Sequence, residues 1–342
     1  MRRPKILIFK LGLLGDVLMT TPFLRQLRRI FPDSEIHYWV GDSFRVAFAD
    51  NPHISAAIGF DEKIFFRRDF SGVCSLWRRL KHERYDIGFF LGKHWIFNAF
   101  AASLRIPRRV GFVRERVSRL FLTDVTSYST LRHEIHYYLD LLRFFAEPDF
   151  SDVAMEVQIP LHAAEAADKL IRENGLQSLV AVINSGGNNA GENGFVRRLP
   201  DTFFENLVLA LGKGHSVALL GNSADGEYYQ TFCFPVAVKN FAGRLSFHES
   251  LALLQRAIRV YSTDCGAMHM AASVNDRLTC FFGPSHPVWT APLLSDVEII
   301  WPNKDRYTPE YDLYNSHPDQ RAFERLAYRF DGKDISFAQS TV

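Results

Sequence analysis

"KILIFKLGLLGDVLMTTP", residues 5–22, opens on a five-residue apolar run, passes through a glycine-spaced turn and enters what reads as a helix. An apolar run this short, closed by glycine, fits a buried strand. Asp16 falls where the helix should begin. An acid there is a helix cap, a phosphate-loop neighbour or a catalytic base. Working outward, the same alternation recurs along the chain. "IHYWV" (36–40) and "DIGFFL" (86–91) read as strands, and "FLRQLRRIF" (23–31), "SLWRRLKHERY" (75–85) and "HEIHYYLDLLRFF" (133–145) as helices. Ile135, Leu139 and Leu142 share one stripe at helical spacing, which predicts a helix over 132–145.

The second half repeats the pattern with strands "LVAVI" (179–183), "SVALLG" (216–221), "RVYST" (259–263) and "LTCFFG" (278–283). Ser246 and Glu249 form a capping-box pattern ahead of an apolar helix. Strands alternating with helices argue for parallel sheets in an α/β architecture. Residues 146–166 are acidic and turn-rich, and read as a linker. The expectation is two Rossmann-like domains, 1–158 and 159–342, with a cleft between them.

Length, at 342 residues, agrees with two domains, and 47% hydrophobic residues suffice for large cores. The four cysteines, Cys74, Cys233, Cys265 and Cys280, form neither a CxxC pair nor a zinc-like spacing, which favours free thiols in a reducing compartment. The basic start "MRRPK" precedes too short an apolar run for an export signal, and no stretch approaches the ~20 apolar residues of a membrane span. A cytoplasmic location is expected. Charge is uneven: residues 1–160 hold 24 Lys and Arg against 18 Asp and Glu, and residues 63–119 hold 14 against 4. That segment reads as a solvated basic face or as a site for an anionic partner. Phe65, Phe66, Phe70, Trp77 and Trp95 interleave with its charges, a mixture that also suits a membrane surface or nucleic acid.

Open α/β sheets bind ligands beyond the carboxyl ends of their strands, and three loops fall there. The first holds Gly12, Gly15 and Asp16; it has neither a GxGxxG fingerprint nor a Walker lysine. The second, "NSGGNNAGENGFVRRLP" (184–200), is rich in glycine and asparagine and ends on Arg197 and Arg198, guanidinium groups that suit a diphosphate. Alternatively, it is an ordinary surface loop. The third, "YSTDCGAMHMAASVNDRLTCFFGPSHP" (261–287), runs from a strand into Asp264, Cys265 and Gly266 and a short small-residue helix bearing His269. Glycine at that helix start lets a phosphate approach backbone N–H groups. His269 is either a ligand-facing group or a packed core histidine.

Taken together, "GDVLMTTP", "RRLP" and "TDCGAMHMAA…FFGP", in that order and spacing, resemble the lipopolysaccharide heptosyltransferases of glycosyltransferase family 9 over residues 5–295. The resemblance implies a GT-B fold, with parallel sheets facing each other across a cleft and the C-terminal tail packing back on the N-terminal domain. It implies an acceptor-binding first domain and a second domain holding the sugar nucleotide, ADP-L-glycero-D-manno-heptose. It also implies inverting, metal-independent transfer without a cofactor, in line with the absence of any Asp-x-Asp from the chain.

By position, Asp16 matches the family's general base. Ser185, Gly186, Arg197, Asp264, Cys265, Gly266 and His269 match its nucleotide-sugar residues. Arg197 replaces the usual lysine, Cys265 a hydroxyl residue, Ser185 a proline and Leu199 a tryptophan, and the loop 187–196 is longer than usual. Gly15, Arg67, Arg68 and His133 are the implied acceptor contacts, toward Kdo carboxylates and phosphates of an anionic glycolipid at the cytoplasmic face of the inner membrane of a Gram-negative bacterium. No nucleic-acid partner is implied. Another nucleotide sugar or a protein acceptor is the alternative within the family. An NAD-dependent oxidoreductase lacks its fingerprint here, and a non-catalytic nucleotide-binding scaffold would be expected to have lost some of Asp16, Arg197, Asp264 and His269.

Overall fold

The computed structural model describes residues 3–128, 131–186, 197–302 and 304. The expected loop contacts of 187–196 and the packing of the C-terminal tail lie outside them. The chain divides into two compact units, Met1–Gln158 and Ile159–Val342.

In the first unit the order is β1 (Lys5–Lys10), α1 (Leu14–Leu18), α2 (Thr21–Ile30), β2 (Glu35–Gly41), β3 (Ala56–Phe60), α3 (Lys63–Phe66), α4 (Phe70–His82), β4 (Ile87–Phe90), α5 (Trp95–Ser103), β5 (Arg108–Val113), β6 (Asp124–Ser127) and α6 (Glu134–Asp140). All its strands are parallel, in the spatial order β3-β2-β1-β4-β5-β6. Strand side chains alternate between faces. Leu7 and Phe9 therefore join Trp39, Phe60, Leu76 and Leu80 on one side. Ile6 and Ile8 are equally buried on the other, where the Phe23 and Phe89 rings meet edge-on at 5.2 Å. Burial on both faces explains why β1 reads as a continuous apolar run.

The second unit follows with α7 (Leu161–Asn174), β7 (Val180–Ile183), α8 (Asp201–Leu211), β8 (Val217–Leu219), α9 (Ser223–Tyr229), β9 (Val238–Asn240), α10 (Phe247–Arg256), β10 (Arg259–Thr263), α11 (Gly266–Ala272), β11 (Arg277–Phe281), α12 (Pro287–Thr290) and β12 (Asp296–Ile300). Its sheet, also parallel, runs β12-β11-β10-β7-β8-β9. Val180, Val182, Phe203, Phe204, Leu207 and Tyr261 centre its core. The capping box before α10 forms: the Glu249 N–H donates to Ser246 Oγ at 3.3 Å and the Ser246 N–H to Glu249 Oε2 at 2.7 Å.

Two sequence expectations are corrected. The helix expected over 132–145 is α6 followed by a 3-10 turn at Leu141–Phe144, tightening of the sort helix ends use to satisfy their last carbonyls. The linker is shorter and less free than its composition suggested. Its last residues belong to α7, and its middle is strapped to α2. Arg25 meets Asp152 at 2.6 Å and Glu156 at 2.9 Å, and Gln26 donates to the Asp149 carbonyl at 2.8 Å.

Candidate active site

Strand order locates the crevices. In the first unit the chain winds outward from β1 through β2 to β3, then returns to place β4 on the other flank of β1. In the second, winding reverses between β7 and β10 in the same way. Ligand crevices of doubly wound sheets form at these reversals, beyond the carboxyl ends of the strands. The Gly12–Asp16 turn follows β1, Ser185 and Gly186 follow β7, and Asp264–Gly266 follow β10. All three loops singled out in the sequence end at a reversal.

Gly12 turns the chain with φ of 143°, and a Cβ there would lie 2.9 Å from Asp16 Oδ2. The glycine is required because the Asp16 carboxylate folds back over it. The Leu13 N–H donates to Asp16 Oδ2 at 3.2 Å. Asp16 thus closes the turn as a cap, and that bond fixes the direction of its carboxylate. Gly15 is buried in α1 behind it.

A polar cluster that the sequence did not disclose lies around this turn. Lys10, the last residue of β1, is only 4% exposed, with Nζ 5.4 Å from the centre of the Tyr138 ring. Burial pushes its pKa down, Asp16, Glu134 and Glu62 oppose that shift, and Lys93 adds to it. Lys93 Nζ donates to Glu134 Oε1 at 2.6 Å and to Tyr128 OH at 3.0 Å. Glu134 is fully buried, and its Oε2 has no hydrogen-bond partner among the described residues. Burial also raises the Glu62 pKa, an effect that the Gly12 amide partly offsets. The available signal was a lysine closing an otherwise apolar strand.

The expected acceptor residues separate. Arg67 and Arg68 follow α3 at the same end of the sheet and are exposed, Arg68 with φ of 55°. His133 is buried and caps α6, its Nδ1 accepting the Ile135 N–H at 3.2 Å.

In the second unit the expected residues converge. Arg197, 7% exposed, pairs through Nη1 with Asp264 Oδ2; Asp264 is 5% exposed. The same nitrogen reaches the Asp264 carbonyl at 3.3 Å. Ser285 Oγ donates to Asp264 Oδ2, and Thr290 Oγ1 lies 3.5 Å from Oδ1. The Ser185 N–H donates to Thr263 Oγ1 at 3.1 Å, and Thr263 Oγ1 donates to the Ser185 carbonyl at 2.7 Å, tying the β7 and β10 loops together. Asn184 Oδ1 accepts the Leu199 N–H at 2.7 Å and anchors the arginine segment to β7.

Cys265 occupies the N-cap position of α11 and Gly266 its first position. Burial raises the Cys265 thiol pKa, so the thiol stays protonated at neutral pH. His269 is buried in the same helix. Thr263, Asn184, Ser285 and Thr290 were missed, since isolated hydroxyls and amides carry no spacing signal.

Among the described residues no helix is long and apolar enough to cross a membrane. The sequence profile of glycosyltransferase family 9 (heptosyltransferase) matches residues 73–316. Lipooligosaccharide heptosyltransferase 2 of Haemophilus influenzae is 24% identical over 324 residues, covering 86% of this chain and 88% of that one. Lipopolysaccharide heptosyltransferase 3 of Escherichia coli is 24% identical over 302 residues, covering 84% and 85%. Among solved structures, a family 9 glycosyltransferase from Veillonella parvula superposes with a TM-score of 0.82 at 21% identity, over 100% of this chain and 97% of its own. ADP-heptose LPS heptosyltransferase II of E. coli gives 0.71 at 19% identity, over 98% and 99%. The two parallel six-stranded sheets thus have the fold of the GT-B heptosyltransferases, and the chain belongs to glycosyltransferase family 9, the heptosyltransferases.

Proposed function

We propose that this enzyme transfers heptose from ADP-L-glycero-D-manno-heptose to the inner core of lipopolysaccharide, onto Kdo or a preceding heptose, with inversion and without a metal or other cofactor. The supporting observation is that the turn carrying Asp16 and the buried Arg197–Asp264 pair lie at the strand-order reversals of the two sheets. Residues 1–158 receive the acceptor and residues 159–342 the donor.

Asp16, held by its bond to the Leu13 N–H, takes the proton from the acceptor hydroxyl as that oxygen attacks the anomeric carbon. The bond to the leaving diphosphate breaks as the new glycosidic bond forms. Arg197, oriented by Asp264, meets the developing negative charge, and the absence of a side chain at Gly266 lets the phosphates approach α11. Ser185, Gly186, Cys265 and His269 complete the donor side. On the acceptor side, Arg67 and Arg68 grip carboxylates and phosphates beside Gly15; His133 serves there by holding α6. The acceptor is met at the cytoplasmic face of the inner membrane. E. coli heptosyltransferase WaaC, solved with ADP-2-deoxy-2-fluoro heptose, has a TM-score of 0.66 to this chain and supports the donor assignment.

The test is ADP release by purified enzyme given ADP-, UDP-, GDP- or CMP-sugars, with and without Kdo-lipid A or heptosylated core. The expected result is turnover that requires ADP-heptose and acceptor, survives EDTA and falls about 10²–10⁴-fold in Asp16→Asn. Turnover undiminished in Asp16→Asn would refute the base, and selective use of another sugar nucleotide would refute the donor.

A further inference from the structure

Phe66, Phe70 and Leu120 are 72%, 79% and 78% exposed, and exposed apolar side chains gathered in one patch with a polar rim mark an interaction surface. They stand on different segments that packing draws together. Phe65 of α3 meets Phe97 of α5 edge-on at 5.4 Å, and Trp95 of α5 stacks with Phe121, beside the Arg116–Leu120 turn, at 6.4 Å. These segments follow β3, β4 and β5, so they share the carboxyl end of the first sheet, the end that carries Asp16. Trp95, Ile96 and Val117 are exposed between them. Arginines are interspersed with the apolar side chains: Arg67 and Arg68, with Asp69, separate Phe66 from Phe70, and Arg116 and Arg119 flank Val117 and precede Leu120. All four arginines are exposed.

We propose that this rim is a bilayer-docking surface that inserts Phe66, Phe70 and Leu120 at the headgroup–acyl boundary of an anionic membrane. The inference rests on the reading of the acceptor as a membrane glycolipid and names the protein surface that meets the membrane. The local charge favours an anionic bilayer over a protein partner: residues 63–119 hold 14 Lys and Arg against 4 Asp and Glu. Nucleic acid would use the rings of Phe66, Phe70 and Trp95 but leave the aliphatic Leu120, Ile96 and Val117 without a role. A bilayer accepts both components at once. Apolar tips enter the boundary region while guanidinium groups remain among anionic headgroups. Docking in this way turns the end of the sheet bearing Asp16 toward the membrane.

The experiment is co-sedimentation of the full chain with vesicles of phosphatidylcholine alone or mixed with phosphatidylglycerol, at low and high salt. The wild type is compared with Phe66→Ser/Phe70→Ser/Leu120→Ser. The expected result is binding to the anionic vesicles that weakens with salt and falls about tenfold or more in the triple variant. Its unfolding midpoint, and its turnover on a delipidated core acceptor, stay at wild-type values. Wild-type failure to bind anionic vesicles, or equal binding by the variant, overturns the proposal. Because sedimentation needs no turnover, rim-dependent binding by a chain that transfers no heptose would sink the glycosyl-transfer reading and leave the docking surface standing.

Discussion

Asp264→Asn removes one charge from the buried pair with Arg197 while keeping the shape of the side chain. Both partners are almost fully inside the second unit, and Ser285 and Thr290 contact the same carboxylate. Removing one member of such a pair strands the other charge in a poorly solvated place, which costs about 3–5 kcal/mol. Asparagine still offers an oxygen to Arg197, so the lower end, about 3 kcal/mol, is expected here. In a domain of this size that lowers the unfolding midpoint by about 6–12 °C. The assay is thermal unfolding of Asp264→Asn, Arg197→Met and the double variant. The double variant should lose less than the sum of the singles, since it leaves no unpaired charge. A loss below about 1 kcal/mol in Asp264→Asn, or strict additivity in the cycle, would refute the view that the two groups hold each other.

Gly12→Ala places a methyl group 2.9 Å from Asp16 Oδ2 at a φ of 143°; turnover should fall about 10²-fold, from the displaced carboxylate, while calorimetry finds ADP affinity unchanged. Lys10→Met tests the buried ammonium. Because its folded pKa lies below 10.5, the unfolded chain holds a proton that the folded chain has lost between those values. Wild-type stability should therefore gain from this lysine as pH rises through that window, and the wild-type-minus-variant difference in urea unfolding should slope upward there. Tyr138, whose pKa burial raises, acts in the opposite sense and is present in both proteins. Cys265→Ser supplies a hydroxyl at the N-cap of α11, a stronger acceptor for the helix's first amides than a thiol; stability should rise by up to about 1 kcal/mol, read from the unfolding midpoint.

The buried strands were legible because β1, β2, β4, β7, β8, β10 and β11 read as short, mainly apolar runs between turn signals. Four of the five that escaped, β3, β6, β9 and β12, are sheet edges. An edge strand pairs on one side only and is half-buried, so its sequence needs no run of large apolar residues: β3 is built largely from small ones and β6, β9 and β12 carry polar ones. "DVTS" and "VKN" are short enough to pass for loops. The fifth, β5, lies inside the sheet but begins with Arg108 and Arg109, whose guanidinium groups bond to Asp124 and to the Phe121 and Ile106 carbonyls. The candidate residues of the second unit were legible because their chemistry sits in contiguous blocks. Lys10, Lys93 and Glu134 were not, because the fold assembles them from β1, the β4 loop and α6, far apart in sequence.

Asp16 shows where a local signature stops being informative. The pattern Gly-x-x-x-Asp after a strand occurs at Gly12–Asp16 and again at Gly221–Asp225, and the two turns have the same construction. Gly221 has φ of 154°, a Cβ there would lie 2.7 Å from Asp225 Oδ2, and the Asn222 N–H donates to that oxygen at 3.0 Å. A capped, glycine-backed aspartate is therefore a way of ending a strand and starting a helix, and by itself says nothing of catalysis. Strand position separates the copies. Asp225 follows β8, one strand away from the reversal of its sheet, whereas Asp16 follows β1, on the reversal. Asp225 also gives its other oxygen to Arg198 at 2.7 Å, and that guanidinium lies over the Tyr228 ring at 4.4 Å. Neighbouring arginines thus part company, Arg198 securing the β8 turn and Arg197 reaching Asp264 beside β10. The same turn recurs in both units, and strand order, which no short motif encodes, is what singles out Asp16 as the proposed base.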